Sequence, residues 1–176
     1  MYKLLTIKSS NINKIDKNKF LQIKTFINLM NKYWNHKDTF ENLIKRLNRR
    51  KYTVYFILLF DDNKVVGGFR YYKTHIKDKI LLNRFLYKNG YYYCIQEVFV
   101  IDEYRGKGIL DKLFTIFFTK ISKKAHGILA VEKSNKFAIK AYERNKFKKV
   151  IERKVTNKLL DSNTYSENFI EYLMIR

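Results

Sequence analysis

The apolar positions of this chain fall into two periods. From Lys14 to Asn31, the residues Ile15, Phe20, Ile23, Phe26, Ile27 and Met30 recur at helical spacing, and Asp38 to Arg49 repeats the pattern with Phe40, Leu43, Ile44 and Leu47. Asp38 or Thr39 is placed to cap the second of these helices. The period then changes to that of strands. Thr53 to Phe60 and Val65 to Tyr72 are rich in β-branched and aromatic residues and flank Asp61-Asp62-Asn63-Lys64, a hairpin signal. Tyr91 to Val100 reads as a buried strand. Ile109 to Lys123 puts Ile109, Leu113, Ile116, Phe117 and Ile121 on one helical face. A strand over Ile128 to Val131, a helix over Asn135 to Asn145 and strands near Lys148 to Val155 and Phe169 to Ile175 follow. Tyr2 to Ile7 supplies a short first strand, and Thr74 to Asn89 is expected to be a loop with a short apolar element around Ile80 to Leu86.

The order is thus strand, two helices, three strands, helix, strand, helix, two strands. Mixing of this kind predicts an α/β (mixed α+β) architecture with a mostly antiparallel central sheet and a parallel pair at its centre. Six to seven strands and about four helices are expected. No linker, repeat or low-complexity segment divides the 176 residues, so one domain over 1–176 is expected.

The stretch Tyr104-Arg105-Gly106-Lys107-Gly108-Ile109 joins an apolar strand to an amphipathic helix. Glycine lets the backbone come close to an anion, and the unpaired N–H groups of a first helical turn point at it. Arg105 and Lys107 add positive charge at the same spot. The other reading is an ordinary strand-to-helix turn with two solvated cations, and a short Gly-x-Gly alone does not separate the two. Upstream, Glu97 lies in a strand of otherwise apolar character. A carboxylate there is costly to bury without a partner, which points it to a cleft.

Composition narrows the classes. An apolar fraction of 46% with 14 Tyr and 14 Phe argues against disorder. The lone Cys94 excludes an internal disulfide framework and reads as a small buried hydrophobe, while His36, His75 and His126 show no ligand spacing, so no metal is expected. No apolar run reaches the length needed to span a bilayer, and the N-terminus is too charged for a secretory signal. A soluble protein of the cytoplasm is the expectation. Net charge is +21, from 37 Lys and Arg against 16 Asp and Glu, which favours anionic partners. The excess is mostly dispersed lysine without a dense arm, so a dedicated nucleic-acid surface is disfavoured. Lys45 to Lys51 is the densest basic run, and it suits the end of a helix.

On these residues the chain resembles the GNAT superfamily of N-acetyltransferases. Arg105-Gly106-Lys107-Gly108-Ile109-Leu110 is similar to its pyrophosphate loop, Arg/Gln-x-x-Gly-x-Gly/Ala, with Leu110 in place of a small residue. Asn135, Ala138, Tyr142 and the closing Lys146-Phe147 resemble its second signature, which ends in Gly-Phe. The resemblance implies a GNAT-like acyl-CoA N-acyltransferase fold with splayed central parallel strands, acetyl-CoA as acyl donor and direct attack by a primary amine. It assigns the pyrophosphate to the backbone of Arg105, Gly106, Lys107, Gly108, Ile109 and Leu110. The pantetheine arm goes to the strand of Val98 and Val100, and the thioester oxygen to an amide near Phe99 or Val100. Tyr142 falls to the sulfur as proton donor, although it also fits an apolar helix face with Phe137, Ala138 and Ala141. Asn135 contacts the cofactor arm or caps its helix, two compatible roles. Glu97 accepts the amine proton directly or through water, or binds a cationic substrate. Leu110 either crowds the diphosphate or points into the core. The acceptor is a small metabolite, a polyamine-like amine or a protein amine, with Gln96 and the net charge against a polyamine. The rivals are a degenerate member that binds an acyl-CoA or a protein without catalysis, and a basic nucleic-acid-binding protein. Paired C-terminal strands are suited to a homodimer.

Overall fold

The computed structural model describes residues 2–8, 17–34, 39, 41–42, 45, 53–75, 91–121, 126–156 and 168–176. Its centre is a seven-stranded sheet in the order β1-β2-β3-β4-β5-β7-β6. The strands are β1 (Tyr2–Lys8), β2 (Val54–Asp61), β3 (Lys64–His75), β4 (Tyr91–Val100), β5 (His126–Glu132), β6 (Lys148–Thr156) and β7 (Asn168–Ile175). Three helices are described: α1 (Lys17–Trp34), α2 (Ile109–Lys120) and α3 (Lys136–Arg144). Of the helix predicted over 38–49, residues 41, 42 and 45 are helical, and Asn42 N–H donates to Thr39 Oγ1 at 3.1 Å, the expected cap. The apolar element predicted within 74–89 lies mostly outside the described residues.

Among the described residues every pairing is antiparallel except β4 with β5. Two layers of helix cover the sheet. Ile57 and Phe69 are register partners and share a face, while Phe56 and Arg70 share the opposite one. Helix α1 lies on the Phe56 face, where Phe26 meets Phe56 edge-on at 5.4 Å and Phe99 at 5.6 Å. Helix α2 lies on the Phe69 face, with Phe114 and Phe117 each 5.6 Å from the Phe69 ring. Its buried residues are Ile109, Leu113, Phe114 and Phe117, with Ile116 only partly buried. Phe114 thus joins the face that periodicity drew without it, because α3 closes over that side of α2. At Gly67 a Cβ would stand 2.9 Å from Ile109 Cγ2 and 3.1 Å from the Phe99 carbonyl oxygen. The missing side chain is what lets the start of α2 settle onto the beginning of β3.

Candidate functional site

The parallel pair separates almost as soon as it forms. Among the described residues, Tyr92, Tyr93 and Cys94 of β4 pair with His126, Gly127 and Ile128 of β5, and none beyond Cys94 does. Beyond them β4 runs on to Val100 beside β3, and β5 runs on to Glu132 beside β7. A gap therefore opens between the two strands toward their carboxyl ends, where ligands enter open α/β sheets. The N–H of Ile101 donates to Val66 O at 3.0 Å, so it faces β3. Peptide groups alternate along a strand, so the N–H and C=O of Val100 and of Val98 point away from β3 and into the gap, and those of Phe99 do not.

Strand β4 carries a bulge just before these residues. Gly68 pairs with Phe99 but Arg70 pairs with Gln96, leaving Glu97 and Val98 opposite Phe69 alone. Glu97 has φ +54°, left-handed backbone that a residue with a Cβ rarely adopts. Its Oε1 lies 2.5 Å from Arg70 Nη2, with only 11% and 9% of the two side chains exposed. The carboxylate expected to face the cleft is thus engaged by a buried guanidinium. Arg70 was missed by the sequence reading, although the signal is the one that singled out Glu97: a charge inside an apolar strand.

At the mouth of the gap, a 3-10 turn over Asp102–Tyr104 leads through Gly106 (φ +77°) and Gly108 (φ +71°) into α2. Gly108 caps α2 with left-handed backbone and no side-chain hydrogen bond. Among the described residues, Gly106, Gly108, Ile109 and Leu110 donate no backbone N–H to a carbonyl in this loop, and the space around the glycines is open. A Cβ at Gly106 would meet nothing within 4 Å, and one at Gly108 only Asp111 Oδ2 at 3.9 Å. Unfilled N–H groups at an uncapped helix start make an anion site. Leu110 is partly buried and packs against the core, so of the two alternatives its side chain takes the one that leaves this space free. Arg105 pairs with Asp102 at 2.8 Å, with 62% and 55% of the side chains exposed. A pair so wet is worth no more than about 1 kcal/mol, so Arg105 can exchange it for a phosphate. Lys107 Nζ sits 4.9 Å from the centre of the Tyr104 ring, and Tyr104 OH donates to Asp61 Oδ2 at 2.8 Å, which ties the loop to the β2–β3 hairpin.

Helix α3 begins at the carboxyl end of β5. Asn135 is its cap, Oδ1 accepting from Ala138 N–H at 3.0 Å. Tyr142 is 6% exposed, between Phe114 at 5.9 Å and Phe147 at 6.0 Å. Burial pushes its phenol well above the ordinary range, so it stays protonated and a donor. Phe137, expected on the same apolar face, is 90% exposed. The buried face is set by Ile139 and Tyr142, one turn apart, and Phe137 lies well round the helix from both. Asn145 ties α3 to α2 through Asp111, its Nδ2 lying 2.5 Å from Asp111 Oδ1.

Among the described residues no group of three or more His, Cys, Asp or Glu is placed to hold a metal ion, and no helix is long and apolar enough to cross a membrane. The model of the family described as "Acetyltransferase (GNAT) family" matches residues 21–147. No curated protein matches the sequence. The fold is similar to that of NAA60 from Arabidopsis thaliana in complex with a bisubstrate analogue, at 14% identity and TM-score 0.70, covering 99% of this chain and 97% of that one. The same Arabidopsis thaliana protein in complex with acetyl-CoA gives 16% and 0.67, with 99% and 98% covered. A ribosomal-protein-alanine N-acetyltransferase from Brucella melitensis gives 12% and 0.59, with 99% and 98% covered.

Proposed function

This chain belongs to the GNAT acetyltransferase family and is an acetyl-CoA-dependent acetyltransferase, and on that premise we propose that it acetylates a primary amine, with a peptide or protein amine as the favoured acceptor. The observation that carries the reading is the coincidence of two features at one end of the parallel pair. One is a gap lined by the Val98 and Val100 peptide groups, and the other is an uncapped helix start behind two left-handed glycines.

In this reading the diphosphate rests on the N–H groups of Gly106, Gly108, Ile109 and Leu110, with Arg105 and Lys107 alongside. The pantetheine arm pairs with β4 at Val98 and Val100. The acceptor nitrogen, neutral when it attacks, forms the C–N bond to the thioester carbonyl. The Val100 N–H stabilises the oxyanion, and the C–S bond breaks with its electron pair leaving on sulfur. The acceptor nitrogen gives its proton to water, and the thiolate, held by a hydrogen bond from the Tyr142 phenol, takes up a proton from solvent. Asn135 positions α3. One domain spanning 1–176 suffices for these parts. The peptide or protein acceptor is favoured because one similar fold is that of a ribosomal-protein-alanine N-acetyltransferase.

Thermal unfolding with and without acetyl-CoA tests the cofactor, followed by a screen of peptide and small amines for thiol release. At a hundred times Kd a ligand adds about 2.7 kcal/mol, or about 5–10 °C for a chain of this size. Gly108→Trp places an indole over the anion site and should remove the shift. No shift with the wild-type protein at millimolar acetyl-CoA would overturn the reading.

A further inference from the structure

We propose that Arg70 is a positioning residue for acyl transfer: its guanidinium holds Glu97, and through it the bulge that aims the Val98 and Val100 peptide groups into the gap. The inference rests on the acetyl-CoA reading above and deepens it. Glu97 stands in left-handed backbone against a steric cost, so something must hold it there. Its Oε1 lies 2.5 Å from Arg70 Nη2, both side chains are almost wholly buried, and Arg70 is in register with Gln96, the residue before the bulge. The contact is therefore a short clamp across two neighbouring strands at the one place where β4 gains a residue over β3.

What the clamp controls follows from strand geometry. A regular strand has a side-chain and peptide-group period of two, so losing one inserted residue reverses every group beyond it. If Glu97 relaxed to ordinary strand backbone, the register beyond it would shift. The N–H and C=O groups of Val98 and Val100 would then turn toward β3, and those of Phe99 toward the gap. Removing Arg70 supplies the drive for that change. It takes the Arg70 guanidinium away from a buried carboxylate, and the relief this favours for Glu97 is to leave its left-handed conformation and reach solvent. The role of Glu97 is then exerted through the backbone, with its carboxylate given to Arg70 and not to the acceptor amine.

The test is calorimetric titration of acetyl-CoA and of ADP into wild-type protein, Arg70→Met, Glu97→Gly and the double variant. ADP engages the phosphate loop alone, so it reports a fold-wide defect. Arg70→Met should weaken acetyl-CoA about tenfold and leave ADP within about twofold. The double variant should recover acetyl-CoA to within about threefold of wild type, because glycine adopts φ +54° unaided and leaves no orphaned carboxylate. Unchanged acetyl-CoA affinity in Arg70→Met would overturn the inference. So would a parallel loss of ADP, or a double variant no better than Arg70→Met. Wild-type protein that binds no acetyl-CoA would overturn the acetyltransferase reading and this inference with it.

Discussion

Replacing Lys146 by glycine should stabilise this protein. Lys146 has φ +66° and follows the last turn of α3. Its N–H donates to Glu143 O at 2.9 Å, and the N–H of Phe147 donates to Tyr142 O at 3.0 Å. The Tyr142 and Phe147 rings meet edge to face at 6.0 Å. These two bonds and one apolar contact make a Schellman ending, whose left-handed position ordinarily holds glycine. A side chain there brings its Cβ against the following carbonyl at a cost of about 1–2 kcal/mol. Glycine relieves that clash but adds about 0.5–1 kcal/mol of unfolded-state entropy. The net gain for Lys146→Gly is therefore about 0.5–1 kcal/mol, or about 1–4 °C in Tm for a chain of this length. The lysine side chain is exposed and forms no ion pair among the described residues, so nothing is lost with it. Urea unfolding read by circular dichroism gives the difference directly, with Lys146→Ala as the control that keeps the Cβ. A glycine variant no more stable than wild type at equal m-value would refute the reasoning, and so would an alanine variant that matched it.

Two further outcomes follow from the same neighbourhood. Asn145 donates from Nδ2 to Asp111 Oδ1 at 2.5 Å and to Ala141 O at 2.9 Å, so Asn145→Ala should cost about 2 kcal/mol by urea unfolding and loosen α3 from α2. Burial, reinforced by the neighbouring Tyr55 and Tyr93, pushes the Tyr71 phenol up to about 12, and burial raises Tyr142 as well. Unfolded phenols ionise near 10, so both groups leave stability untouched below that pH and withdraw it as the pH climbs through 10 toward 12. Urea midpoints at pH 8, 10 and 11 should fall over the last step, and fall less in Tyr142→Phe; equal losses in the two proteins would count against the Tyr142 environment.

Much of this fold was legible because its elements carry local marks. The hairpin turn at Asp61-Asp62-Asn63-Lys64, the left-handed glycines at Gly106 and Gly108 and the cap at Asn135 are each written within a few consecutive residues. All seven predicted strands are present, with boundaries moved by at most a few residues. Phe137 misled because residue type was read without angle: it is apolar, yet it lies off the stripe defined by Ile139 and Tyr142. Lys146 was readable only by analogy. Nothing about a lysine announces a left-handed turn, whereas its place before Phe147 in the pattern does.

The proposed phosphate loop and the gap differ in how they are encoded. A phosphate loop is built from backbone groups of one short segment, so its geometry is fixed by glycine and helix-start signals that stand side by side in the chain. The gap is built by register. Arg70 and Glu97 lie on different strands and meet only because β3 and β4 pair with one extra residue between Gln96 and Phe99. No local pattern states that a bulge will fall there, since an inserted residue in an apolar strand has the same composition as its neighbours. Strand propensity in fact argues for a regular Ile95 to Val100, and a carboxylate in the left-handed region is unfavourable twice over, in backbone and in burial. An unfavourable backbone and a buried carboxylate at one residue are tolerated when a partner supplies a counter-charge, and Arg70 supplies it from the next strand. The charged position inside an otherwise apolar strand thus marked the bulge, and the carboxylate's observed partner there is a guanidinium on the next strand.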